Sequence, residues 1–84
     1  MEIVEIEWLD SQGYAQWQDK KEMSAWAEEE KMICHSVGYL LKEYKDRVVI
    51  VQSESSGCYG EGLIIPCVAI VKMSRLSRPK KARR

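Results

Sequence analysis

Few groups in this chain could do covalent chemistry. There is one histidine, His35, and there are three cysteines, Cys34, Cys58 and Cys67. Cys34 and His35 are neighbours, and neighbouring residues on a strand point to opposite faces. They are badly placed to share a metal ion or to act as a nucleophile and its base. The cysteines lie 24 and 9 positions apart, without the close ligand pairs of a zinc site. Three thiols cannot all pair within one chain, and the spacing implies no disulfide framework, so free thiols in a reducing compartment are expected. With a single histidine and no carboxylate-rich loop motif, the acid–base set is thin. The sequence therefore predicts no metal, no cofactor and no enzymatic activity.

Binding chemistry is better represented. Three tryptophans and four tyrosines occur in a chain without phenylalanine. Both residue types combine an apolar body with a polar handle, and both are favoured at interfaces and pockets. Trp8 and Trp26 fit the buried sides of their elements. Trp17 lies in the polar stretch Ala15–Gln18 and reads either as a loop plug or as a binding surface. Asp10 and Ser11 follow the first apolar segment. Ser36 and Gly38 alternate with Val37 and Tyr39, leaving room for a ligand or backbone to approach, or marking a bulge. Tyr59 sits among Ser and Gly residues. The predicted ligand-binding set is Asp10, Ser11, Trp17, Ser36, Tyr39 and Tyr59.

Charge is unevenly spread. Residues 1–71 carry 13 acidic and 6 basic side chains, while residues 72–84 carry 7 basic and no acidic ones. Lys72, Arg75, Arg78, Lys80, Lys81, Arg83 and Arg84 form the predicted nucleic-acid or anion contact, or else a solubilising tail. The segment has no aromatic residue for base stacking.

These residues must be positioned by short elements. Ile3–Trp8 alternates with period two, predicting a strand over 3–9. Asp19 and Glu22 have capping-box spacing at the start of a helix over about 20–32, whose buried stripe would be Met23, Trp26, Ala27 and Met32. Strands are predicted near 33–44, 47–53, 62–66 and 68–73, with a loop over 54–62. Val48–Val51 is apolar throughout, implying burial on both faces. Strand, helix and four more strands predict a mainly β (α+β) fold, a small Sm-like or SH3-like barrel of about five strands with one helix after the first strand. An open α+β sheet is the alternative. One domain spans 1–76, and 77–84 is read as a flexible basic tail.

Trp8-Leu9-Asp10-Ser11, Trp17, Ser36-Val37-Gly38-Tyr39 and Ile65-Pro66 together resemble a set of small, mostly uncharacterised phage and prophage proteins. They share Trp-x-Asp-Ser, a second Trp, Ser-Val-Gly-Tyr and Ile-Pro in this order. The resemblance covers roughly residues 2–76 and omits the tail. It implies a protein acting in a bacterial cytoplasm and no particular activity.

The functional expectation is a non-enzymatic phage-type binding protein that sequesters a small nucleotide-like ligand or blocks a host defence protein. The rival class is an RNA- or DNA-binding module using the basic tail. The acidic body argues against a broad nucleic-acid face. A chain this short buries little core, so a homo-oligomer is expected. The apolar runs are strand-sized, and no membrane span is predicted.

Overall fold

The computed structural model describes residues 1–29 and 32–77. The elements are β1 (Ile3–Leu9), α1 (Lys20–Glu29), β2 (Ile33–Glu43), β3 (Arg47–Ser55), β4 (Cys58–Pro66) and β5 (Ile70–Leu76), with a short 3-10 turn over Cys67–Ala69 between the last two. All five strands form one antiparallel sheet in the order β4-β3-β2-β1-β5. β4 and β5 are the two edges and do not pair with each other, so the sheet is open and the expected barrel is not closed.

The alternation in β1 sets the core. Val4 and Ile6 are fully buried and cluster with Val48, Ile50 and Ile65. Trp8, Leu40, Leu63, Cys67, Ile70 and Met73 pack around this group. β3 buries Val48, Ile50 and also Val51, so its apolar run is covered on both sides. Each such Val or Ile contributes on the order of 1.5–3 kcal/mol when fully buried. With so few of them, every member matters.

Two irregularities bend the ladder, one in β1 at Glu7/Trp8 against β5 and one in β2 at Leu40/Lys42 against β3. An extra residue on one strand kinks it and increases the local twist.

Several boundaries differ from the sequence reading. Residues 54–62 are not a loop: β3 and β4 continue as a hairpin, with Glu54 opposite Tyr59 and Ser55 opposite Cys58. Ser56 and Gly57 make the turn with φ of 49° and 81°, the two positive values that a tight two-residue hairpin requires. The polar composition concealed strands that project into solvent and need no apolar alternation. The last strand starts at Ile70, because Cys67–Ala69 forms the 3-10 turn. It also runs on to Leu76, where Ser74, Arg75 and Leu76 pair with Glu5, Val4 and Ile3. Backbone pairing holds this stretch, and Leu76 itself remains exposed.

α1 begins as predicted, with the Glu22 amide donating to the Asp19 carboxylate at 2.8 Å. It buries no residue fully, and none of its side chains belongs to the core cluster. Met23 and Trp26 are half-buried, while Ala27 and Met32 are exposed. Trp26 rests edge-on against Tyr14 at 5.3 Å between ring centroids. The helical stripe is thus covered in part by the preceding loop.

Gly38 is buried where β2 meets β3, and a Cβ there would lie 2.9 Å from the Val51 carbonyl oxygen and 3.3 Å from the Ile50 Cβ. Backbone on one side and core on the other cannot yield cheaply. Gly38→Ala is expected to cost about 1–3 kcal/mol, read as a lower urea midpoint. Gly13→Ala, with nothing within 4 Å, serves as the control and leaves the stability within about 0.5 kcal/mol. An unchanged midpoint for the Gly38 variant would contradict the close approach.

Candidate functional site

Tyr39 stands on β2 directly between Ile3 of β1 and Val51 of β3. Glu54 and Tyr59 face each other across the β3–β4 hairpin. Together with Met1, which precedes β1, these residues line a cavity of about 390 Å³. The volume lies within the range of small-molecule clefts, about 300–1,000 Å³. Two phenol rings and a carboxylate can hold a flat, polar ligand: the rings by stacking, the carboxylate by accepting hydrogen bonds. No Lys, Arg or His side chain is among the four lining residues.

The hairpin that carries two of these residues has an irregular backbone. Glu61, between Gly60 and Gly62, has φ of 55°, a left-handed conformation uncommon outside glycine. Beside it, the Gln52 side-chain amide donates to the Val37 carbonyl at 2.8 Å. A strained residue within two positions of Tyr59 accords with the clustering of such backbone at ligand sites.

The other predicted ligand residues are elsewhere. Ser36 is on the core side of β2, opposite Ile6, where its hydroxyl accepts a 3.0 Å hydrogen bond from the Trp8 indole. Its geometry describes a packing role. The Asp10 carboxylate accepts from the adjacent Ser11 amide at 2.7 Å, in an exposed stretch after β1. Trp17 is 100% exposed and borders a separate shallow cleft with Tyr14, Gln18 and Met23. That cleft shares no residue with the Tyr39 cavity. The structure therefore brings Tyr39 and Tyr59 together and leaves Asp10, Ser11, Trp17 and Ser36 outside their cavity.

Sequence reasoning missed Met1 and Glu54. Recognising Ser56-Gly57 as a hairpin turn would have set Glu54 opposite Tyr59. Nothing in the sequence signals Met1.

Of the basic residues, Arg75 joins two acidic side chains at the β1 start: its Nε lies 2.6 Å from Glu2 and its Nη2 2.8 Å from Glu43. Glu2 first, then Glu43, holds the Arg75 guanidinium above its ordinary pKa. Lys72 lies across from Glu7 in the ladder. Arg78, Lys80, Lys81, Arg83 and Arg84 lie outside the described residues. His35 sits 3.8 Å from Glu7. Among the described residues, no group of three or more His, Cys, Asp or Glu side chains is placed to hold a metal ion. No described helix is long and apolar enough to cross a membrane.

Ser36→Ala would strip the Trp8 indole of its partner in a half-buried setting. The expected loss is about 1 kcal/mol of stability, measured by urea unfolding, with ligand binding at the Tyr39 cavity unchanged. Retained stability would mean that water replaces the hydroxyl without cost.

No protein-family model, curated protein or solved structure matches the chain, so no relative's chemistry carries over to these residues.

Proposed function

We propose that this is a non-enzymatic binding protein of phage type that sequesters a small nucleotide-like ligand, with the base held in the Met1–Tyr39–Glu54–Tyr59 cavity. The observation that supports this reading is the meeting of Tyr39 and Tyr59 beside the Glu54 carboxylate. Base–aromatic stacking contributes about 1–3 kcal/mol per base. An ionised carboxylate only accepts hydrogen bonds. It therefore favours a base edge that offers two adjacent N–H groups, as guanine does. Adenine and cytosine present a ring-nitrogen acceptor at the same edge, which the carboxylate repels. Closure of the sheet into a barrel, as the Sm-like reading has it, would need pairing of β4 with β5 that the monomer lacks. The expected homo-oligomer is the natural source of such pairing.

A second reading, blocking of a host protein, is favoured by the complete exposure of Trp17. Large aromatic residues dominate the energetics of protein interfaces.

Titration with guanosine, adenosine and cytidine, followed by the tyrosine NMR signals, tests the first reading. Guanosine is expected to bind best, to perturb Tyr39 and Tyr59, and to weaken about tenfold with Glu54→Gln, which loses one charge-assisted pair. Failure of guanosine to perturb either tyrosine would sink it. Trp17→Ala separates the two readings: loss of a protein partner with guanosine binding intact favours the second.

A further inference from the structure

We propose that the free side of β2 over Ile33–Val37 is a strand-docking edge whose occupant is the same segment of a second copy, paired antiparallel about a two-fold axis at His35. Such a contact is independent of the nucleobase site. It also lies in the middle of the sheet and leaves the outer edges, β4 and β5, unpaired.

Hydrogen-bond direction in the ladder leaves this side open. The Leu40 amide donates to the Glu2 carbonyl at 2.8 Å, and the Asp10 amide donates to the Met32 carbonyl at 3.1 Å. Both pairs fall on the register that sets Ile3 opposite Tyr39 and Leu9 opposite Ile33. Bonded positions alternate along an antiparallel pair, so Cys34, Ser36 and Gly38 bond to β1. Ile33, His35, Val37 and Tyr39 point their N–H and C=O groups the other way. Tyr39 meets Val51 there, but the pairing with β3 ends at that rung. Among the described residues no strand faces the backbone of Ile33, His35 and Val37. The Gln52 side chain already stands in for a missing rung, giving its amide to the Val37 carbonyl at 2.8 Å.

The side chains fit a second copy. Sheet edges are commonly protected by Lys, Pro or bulges. β5 carries Lys72 and Arg75, and β4 ends in Pro66 and holds the left-handed Glu61. Ile33–Val37 has no Lys or Pro and no register shift against β1. Its outer face is self-complementary. Ile33 and Val37 are 50% and 44% exposed, and an axis at His35 sets Ile33 of each copy against Val37 of the other. The partner's Ile33 amide then takes the Val37 carbonyl from Gln52. Leu9, exposed and opposite Ile33 in the ladder, widens the apolar patch. Charge is also matched across the axis. The rung through His35 continues to Glu7 and Lys72, so each copy brings one carboxylate and one ammonium. Glu7 lies 3.8 Å from His35, which backs each of the two facing imidazoles with a carboxylate. Two-fold pairing of one patch with itself is the commonest arrangement in soluble oligomers.

Sedimentation equilibrium of the full chain, from micromolar to millimolar concentration, is expected to show a monomer–dimer equilibrium. The double variant Ile33→Lys with Val37→Lys puts like charges opposite each other at both apolar pairs and should weaken the dimer at least about tenfold. The double variant Ile33→Glu with Val37→Lys alters the same exposed positions but sets Glu against Lys in this register, and should dimerise much as the parent does. Amide exchange gives a second readout. The Cys34, Ser36 and Gly38 amides are expected to be protected at every dilution, and those of Ile33, His35 and Val37 only where the dimer is populated. A parent chain that is monomeric at every concentration would overturn the inference and leave the slot to an extended segment of another protein. Dimerisation of both variants like the parent would also overturn it, because the contact must then lie elsewhere. Loss of the dimer in both variants rejects the antiparallel register at His35. Protection of the His35 amide in the dilute monomer rejects the open edge itself.

Discussion

The whole arrangement depends on one thin apolar layer. Val4 and Ile6 on β1 meet Val48, Ile50 and Ile65 from β3 and β4, and among the described residues no charged group is buried. A domain of this size has little surplus burial, so local details carry unusual weight. Gly38 is needed because β3 passes within van der Waals limits of its backbone. Trp8 completes one end of the layer and must satisfy its indole N–H, which Ser36 does. Both residues flank Val37 in the Ser-Val-Gly-Tyr segment, and both serve the core.

The same strand presents the opposite face to the candidate site. Period-two alternation sends Ser36 and Gly38 inward and Tyr39 outward. Tyr39 is paired between Ile3 and Val51 in the ladder, and Val51 is buried. The β3–β4 hairpin extends past that core, so its residues are free to specialise. Glu54 and Tyr59 belong to this projecting part, and among the described residues the left-handed Glu61 is the one non-glycine residue beyond the turn at Ser56 with positive φ. Side chains carried on strands are held more precisely than side chains on loops.

Charge separation along the chain has a structural counterpart. Arg75, on β5, is drawn to Glu2 and Glu43 at the start of β1 and the end of β2. That contact is exposed and contributes little stability by itself. It does place a basic side chain of β5 against acidic side chains next to β1 and in β2.

Much of the fold was legible in the sequence because local pattern and core demand agree there. The β1 alternation, the Asp19 cap and the doubly buried Val48–Val51 run each follow from period, capping chemistry or composition. The projecting hairpin was not legible, because strands with no face to bury carry no hydrophobic period. The extension of β5 to Leu76 was hidden for a similar reason: backbone pairing with β1 holds residues whose side chains have little to bury. Tyr39 and Tyr59 could be singled out by type. Their meeting with Glu54 and Met1, and the removal of Ser36 to the core, depend on which strands pair and in what register. Register is set by contacts between distant segments, so only the tertiary structure could decide it.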